Sequence, residues 1–267
     1  MKKQISILGC GWLGLPLALK LIKNDFSING STTTSSKLQL LQNHQIHPFL
    51  ISLEANEIAG NINKFLENSE ILIIDIPPKL RYDKSENFVS KIQNLIPYIE
   101  ISAIKKVIFV SSTSVYNDDN LEVDETTILN PKTESGKQLM TCENLFLTNK
   151  KFKSTIIRFG GLVGGSRNPA NFLAGRKNIE NPDAVINFIH QDDCIGIIEK
   201  VIVNNIYNEI FNGVAPFHPS RKNYYFQKAF EMNLALPEFD TSKPSVGKIV
   251  SSQKTIQLLD YKFIGII

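Results

Sequence analysis

The 267-residue sequence is poor in the residues that build cross-links and metal sites. Its three cysteines, Cys10, Cys142 and Cys194, lie far apart with no CxxC pair. A sparse, odd count speaks against a disulfide framework or a cysteine zinc site and fits a reducing compartment, read here as the cytoplasm. Histidine is scarce too. His44, His47 and His218 have no metal-ligand spacing among themselves or with nearby carboxylates, so no metal is expected. No run reaches the ~18–20 apolar residues of a membrane helix. The apolar stretch between Lys2-Lys3 and Cys10 is too short for a lipoprotein signal. Net charge is only +3. The lysines are scattered without a block or an interleaved aromatic series, which argues against nucleic acid as a partner and leaves a weak field favourable to anions.

What is present is an ordinary globular balance, 42% hydrophobic and 21% charged residues, at a length suited to one large α/β domain with a small appendage. The chain organises itself around its first thirty residues. Ile5-Ser6-Ile7-Leu8 leads into Gly9-Cys10-Gly11-Trp12-Leu13-Gly14, and the apolar-periodic Leu15 to Ile22 follows. This is strand, glycine turn, helix. Such a turn aims the N–H groups of a helix start, here around Trp12 and Leu13, at an anion. Gly9 would make the tight turn, Gly11 would leave room for a pyrophosphate, and Gly14 would let helix pack on strand. The bland alternative is a glycine turn that only packs a helix on a sheet.

A second strand, Phe26 to Gly30, ends in Ser31-Thr32-Thr33-Thr34-Ser35-Ser36-Lys37. A carboxylate at that point would accept from the adenosine ribose of NAD; hydroxyls with Lys37 suit the 2′-phosphate of NADP. NADP is therefore favoured, with NAD left open, and Ser31, Thr32, Thr33 and Lys37 are the candidate contacts. Ser35 or Ser36 could equally cap a helix from Lys37 to Asn43. His47 to Ile51 reads as a third strand and Glu57 to Asn68 as a weak helix. Ile71 to Ile76 is a nearly continuous apolar run, as a central parallel strand requires, and Pro77-Pro78 stops it. Ile76, Pro77 and Pro78 would form a wall beside the cofactor, and Asp75 reads as a satisfied polar residue or a catalytic one. Phe88 to Ile99 has helical spacing, and Val107 to Val110 is the fifth strand. Alternation of this kind indicates a parallel sheet.

The fifth strand runs into Ser111-Ser112-Thr113-Ser114-Val115-Tyr116, hydroxyls gathered where a substrate would be held. With Ser112 four residues before Tyr116, the chain resembles the extended short-chain dehydrogenase/reductases, the superfamily of NAD(P)-dependent sugar epimerases and dehydratases. The resemblance continues through Pro131 to Glu143, Ile156 to Gly164 and Ile186 to Cys194, and covers nearly the whole chain. It implies an NAD(P)-binding Rossmann fold, a doubly wound parallel sheet with a small C-terminal substrate lobe. Residues 1–160 would form the dinucleotide-binding part, and 161–267 the last sheet strands and the lobe, as a single structural unit. It also implies dimerisation through the helices near Phe88 to Ile99 and Gly136 to Asn149.

The pattern breaks at the helix entrance. Active relatives carry a tyrosine there and a lysine four residues later, the phenolate moving the proton and the lysine tuning it. Aligning Gly136 and Glu143 places Ser135 and Leu139 at those positions. Serine's pKa is too high to replace a phenol unaided, and leucine supplies neither charge nor hydrogen bond. Lys137 arrives two residues early, on another helix face. Ser112, Tyr116 and Ser135 are the candidate catalytic residues, with Ser111 beside the cofactor; Tyr116 reads equally as structural, and Glu134 counts only if it faces the cofactor. His190 with Asp192 or Asp193 reads as a capped helix start. Arg158 and Arg167 would meet an anionic substrate, or Arg158 a buried partner. A brief lobe, with a helix over Tyr224 to Asn233 and a closing helix and tail from Lys248 to Ile267, implies a small substrate or none. Two functions follow: an epimerase/dehydratase-like oxidoreductase on a small carbonyl or alcohol, or a catalytically silent NADP(H) sensor or scaffold.

Overall fold

Strands that are apolar on both faces need helices above and below them, and the chain supplies these by alternation. The computed structural model describes residues 2–78, 80 and 87–265. Strands β1 (Gln4–Leu8), β2 (Ser27–Thr32), β3 (His47–Leu50), β4 (Ser69–Ile74), β5 (Lys106–Ser112), β6 (Lys153–Phe159) and β7 (Ile210–Gly213) form one sheet. Their order is β3-β2-β1-β4-β5-β6-β7, and every pairing is parallel. The direction of winding reverses between β1 and β4, so a crevice opens beyond the carboxyl ends of those two strands.

The period of two along each strand sorts side chains between two cores. Ile71 and Ile73 of β4, Ile108 of β5 and Ile157 of β6 face a core shared with helices α1 (Gly14–Lys23), α2 (Leu38–Asn43), α7 (Gln191–Val203) and α9 (Gln253–Leu259). Leu72, Ile74, Val107, Phe109 and Ile156 face the other, with α3 (Ile62–Leu66), α4 (Phe88–Ile101) and α5 (Glu134–Thr148). The weak helix expected over Glu57 to Asn68 shrinks to α3, started by Asn61, whose side chain accepts from Lys64 N. Helices α4 and α5 pack on each other within the chain, where Gln138 Oε1 accepts from Phe88 N.

A third, smaller core lies apart from the sheet. Leu173 of α6 (Ala170–Leu173), Ile179, Ile186, and Tyr224 and Tyr225 of α8 (Arg221–Glu231) gather there. Edge-on ring contacts link Phe188 to Tyr224 at 5.2 Å and Tyr224 to Tyr225 at 5.3 Å. The strand pair 161–163 with 188–190 bridges this lobe to the sheet. Of the tail expected to run to Ile267, residues 266 and 267 lie outside the described part. Residues 261–265 are pinned by Asp193, which accepts from Tyr261 Oη and from the N–H groups of Ile264 and Gly265 at 2.8–2.9 Å.

Among the described residues no helix is long and apolar enough to cross a membrane, and no group of three or more His, Cys, Asp or Glu could hold a metal. All three cysteines are buried, and burial holds their thiols protonated, Cys10 and Cys142 with pKa values pushed up to about 12.

Candidate functional site

The three glycines of the turn behave differently. Gly9 has φ +108°, and a Cβ on it would stand 2.2 Å from the Asp75 carbonyl oxygen. A Cβ on Gly14 would stand 2.1 Å from the Gly9 carbonyl oxygen. Both positions are closed to any side chain. Gly11 has open space around its Cβ direction, on the side from which a ligand would approach. Helix α1 begins after Leu13 with no side-chain cap. Among the described residues the N–H groups of Trp12 and Leu13 have no acceptor, while Gly11 N donates back to Gly9 O at 2.8 Å. Unpaired N–H groups and the positive end of a helix dipole thus meet beside an open face, which is the donor set a phosphate or diphosphate requires.

Asp75, directly after β4, lies under this turn with its carboxyl against the Gly14 N–H. Burial drives its pKa up to about 7, against the Gly14 N–H and the Arg167 charge, which pull it down. Ile76, Pro77 and Pro78 continue from it, Ile76 and Pro78 partly buried and Pro77 exposed.

The end of β2 divides the hydroxyl run. Ser31 is turned inward, 2% exposed, and its Oγ accepts from Gly9 N at 2.9 Å. Thr32 is also enclosed, its Oγ1 accepting from Thr34 N. These two brace the glycine turn and the bend after the strand. Thr33 and Lys37 are the exposed members of the expected set. The cap expected from Ser35 or Ser36 is not formed: a 3₁₀ turn over Ser35–Lys37 begins there without a side-chain cap, and α2 follows it directly.

At the end of β5 the hydroxyls are drawn into a buried network. Ser111 Oγ donates to Glu143 Oε1 at 2.5 Å. Arg158 binds the same carboxylate through Nε and Nη2, the latter at 2.7 Å, with both side chains at most 3% exposed. Its Nη1 donates to Tyr116 Oη, which donates to Asn212 Oδ1, each at 2.8 Å. Tyr116 is thus a structural member of a closed chain of bonds, 3% exposed. Burial raises its pKa, outweighing the Arg158 charge. Arg158 is a buried partner and not a surface anion contact. Burial works against its charge, and the Glu143 and Tyr116 contacts outweigh that effect.

Ser112 stands apart from this network. It is partly exposed, and its Oγ accepts from Ser114 N at 3.2 Å, an arrangement that fixes a lone pair and leaves the hydroxyl proton available. Gly136 brings α5 close, since a Cβ there would stand 2.3 Å from Ser114 O. Ser135, in the first turn of α5, is therefore held near the Ser112–Ser114 segment and is partly exposed. Leu139 is 3% exposed in the second core, Lys137 is exposed, and Glu134 accepts from Gln138 along its own helix.

The remaining contacts begin with the loop after β6. Gly164 and Arg167 exchange backbone hydrogen bonds at 3.0 Å in a tight reversal, and the Arg167 guanidinium lies 4.3 Å above the centre of the Trp12 ring. His190, not Asp192 or Asp193, caps α7, its Nδ1 accepting from Asp192 N. Gln191 Nε2 donates to Trp12 O at 2.5 Å. The two contacts to Trp12 join residues about 155–180 positions apart in sequence, so no local pattern announces them.

Compared with models of known protein families, the chain matches none. Protein YeeZ of Escherichia coli K12 is 32% identical over 263 residues, which span 98% of this chain and 96% of that protein. Among solved structures, a UDP-glucuronic acid 4-epimerase from Bacillus cereus, in complex with NAD, has a TM-score of 0.82 at 18% identity, over 98% of this chain and 92% of that one. A dTDP-glucose 4,6-dehydratase from Streptomyces venezuelae, with NAD bound, has a TM-score of 0.80 at 13% identity over the same shares. At those identities the shared property is the fold, the Rossmann architecture of epimerase/dehydratase structures.

Proposed function

This chain belongs to the family of Protein YeeZ, and we propose that it binds a nicotinamide dinucleotide across the glycine turn and acts as an epimerase/dehydratase-like oxidoreductase on a small carbonyl or alcohol. One observation carries the reading: Gly11 is open above a helix start where the Trp12 and Leu13 N–H groups have no acceptor among the described residues. A diphosphate supplies the acceptors those donors require. The epimerase and dehydratase with this fold carry NAD. NADP is the favoured form here, because the exposed Thr33 and Lys37 follow β2 in the segment where a carboxylate would repel a 2′-phosphate.

The bound dinucleotide would supply hydride exchange at its nicotinamide. Ser112 polarises the substrate oxygen with its available proton, while the bond from Ser114 N holds the hydroxyl in place. Ser135 lies near enough to assist in orienting substrate; its pKa is too high for it to serve alone as the proton-transfer group. Tyr116 takes no part, since its hydroxyl is engaged on both sides.

A second reading is favoured by Leu139, which the alignment of Gly136 and Glu143 sets against the lysine of the dehydrogenase pattern and which is packed in an apolar core. A protein without that cation, and with Ser135 in place of the tyrosine, would bind NADP(H) as a sensor or scaffold without turnover.

Calorimetric titration of cofactor-stripped protein with NADPH, NADP, NADH and NAD, beside Gly11→Glu, tests both readings. Binding that favours the phosphorylated forms and is abolished by the glycine change is the expected result. Absence of binding to all four overturns both. NADPH consumption over a panel of carbonyl compounds then separates them: the enzyme consumes cofactor and depends on Ser112, whereas the sensor binds without consuming it.

A further inference from the structure

Across the mouth of the glycine turn lies a device that the dinucleotide reading does not use. The loop after β6 reverses at Gly164-Gly165-Ser166-Arg167, with Gly164 and Arg167 bonded to each other in both directions. Gly164 and Gly165 have φ of +104° and +55°. Neither has room for a side chain without displacement: a Cβ on Gly164 would stand 2.4 Å from His190 Nε2, and one on Gly165 would stand 3.2 Å from Gln191 Oε1 and 3.6 Å from Trp12 Nε1. The tip is thereby seated beside the Trp12 indole nitrogen, and the return of the loop lays the Arg167 guanidinium over the same ring.

Two donors result. Trp12 Nε1 is buried and has no hydrogen-bond partner among the described residues. The Arg167 guanidinium, exposed and stacked at 4.3 Å from the ring centre, makes no salt bridge among the described residues; Asp75, under the turn, senses its charge. Gln191, by donating to Trp12 O, fixes the residue that carries the ring. A buried indole N–H left without an acceptor costs free energy, and a guanidinium held flat on a ring is organised in advance for phosphate.

We propose that Arg167 and Trp12 form an anion clamp over the glycine turn that closes on the diphosphate of the bound ligand. The proposal rests on the dinucleotide reading for its natural ligand, and goes beyond it in assigning affinity to a loop far from the turn. The backbone N–H groups of Trp12 and Leu13 at the α1 start hold the diphosphate from below, the indole serves as the platform on which the guanidinium lies, and Arg167 covers the ligand from the solvent side. The clamp recognises charge and not the base, so it takes any ligand carrying a diphosphate.

Trp12 is the only tryptophan in the sequence, so its fluorescence reports the clamp directly. The intact protein is titrated with NADP, ADP, inorganic pyrophosphate and adenosine, and the titrations are repeated with Arg167→Ala and Arg167→Lys, with thermal melts confirming that both variants are folded. NADP, ADP and pyrophosphate change Trp12 emission in the wild type, and adenosine does not. Arg167→Ala weakens all three by roughly tenfold or more, and Arg167→Lys recovers part of the loss, since it restores charge without the planar fork. Equal affinities in wild type and Arg167→Ala, with dinucleotide binding intact, overturn the clamp and spare the reading beneath it. Arg167-dependent binding of pyrophosphate without binding of any dinucleotide upholds the clamp and overturns that reading. No response to any of the anions overturns both.

Discussion

The carboxyl ends of β1 and β5 border one crevice and are built on opposite rules. At β1 several donors are left without a partner. The Trp12 and Leu13 N–H groups and the indole Nε1 have no acceptor among the described residues, and Gly11 keeps the approach clear. At β5 the named groups satisfy one another: Ser111, Glu143, Arg158, Tyr116 and Asn212 form a continuous buried chain of bonds. Asn212 extends it, donating through its N–H to Glu125 and through Nδ2 to Ser251 O. A region whose donors are engaged contributes stability and little ligand chemistry, whereas one whose donors are unpaired bears a cost that a ligand can relieve. Residue type alone does not separate the two, since each has hydroxyls, an arginine and an aromatic ring.

The largest effect should come from breaking the engaged end. Arg158→Ala leaves the Glu143 carboxylate buried without its counterion and should lower unfolding stability by about 3–5 kcal/mol. Urea denaturation measures it, and a loss below ~1 kcal/mol would show that the network is not what holds α5 to β6.

At the open end the corresponding weak point is Asp75. Its folded pKa of about 7 lies above the ordinary carboxylate value, so the folded state holds the proton more tightly than the unfolded chain does. The stability this adds is present at acid pH and is lost as pH rises from about 4 through 7, by at most about 4 kcal/mol. Asp75→Asn keeps an acceptor toward the Gly14 N–H and cannot ionise, so its stability should vary less with pH over that window. Identical pH slopes for wild type and Asp75→Asn, from thermal melts in matched buffers, would rule this out.

Much of the fold was legible because the apolar runs are continuous and their spacing local. Ile71 to Ile74 and Val107 to Val110 announced covered parallel strands, the first five strands of the sheet lie where the residues were read as strands, and β6 overlaps the stretch from Ile156 that carried the family resemblance. The glycine turn was legible for the same reason, since Gly9, Gly11 and Gly14 act within one strand–helix junction. What the sequence concealed was the direction in which side chains turn. Ser31 reads as a ligand contact by position, yet it bonds Gly9 N because β2 runs beside β1 in register. Asp193 reads as a helix cap, yet it holds backbone groups of Ile264 and Gly265, more than seventy residues away. Arg158 finds Glu143 only because β6 and α5 pack on one another. Contacts of this kind are set by tertiary packing, which local pattern does not encode.

A substitution of one residue type at two positions sharpens the contrast between closed and open. Gly9→Ala forces a side chain into a positive-φ position against a carbonyl 2.2 Å away and should cost ~2 kcal/mol or more, with loss of ligand binding. Gly11→Ala meets nothing within 4 Å and restricts the unfolded chain, so stability should hold or rise by ~0.4–1 kcal/mol. Its added methyl stands on the ligand's side, and NADP affinity should fall while the melting temperature does not. Equal thermal losses for the two variants would remove the distinction.

The smallest structural changes test which hydroxyl beyond β5 does chemistry. Tyr116→Phe deletes an oxygen bonded on both sides and leaves Arg158 Nη1 and Asn212 Oδ1 with one partner fewer, so it should cost about 1–2 kcal/mol. Ser112→Ala removes only the acceptor for Ser114 N and should cost ~1 kcal/mol or less. If stability and turnover had one origin, the variant with the larger loss of stability would also lose more NADPH consumption. The geometry requires the reverse order: Tyr116→Phe should consume NADPH as wild type does once a carbonyl substrate has been found, and Ser112→Ala should not, because the Tyr116 hydroxyl is engaged on both sides whereas the Ser112 hydroxyl keeps its proton available. Measured together, a less stable active variant and a more stable inactive one would place the chemistry on Ser112. Matching turnover in both would move it off the β5 hydroxyls altogether.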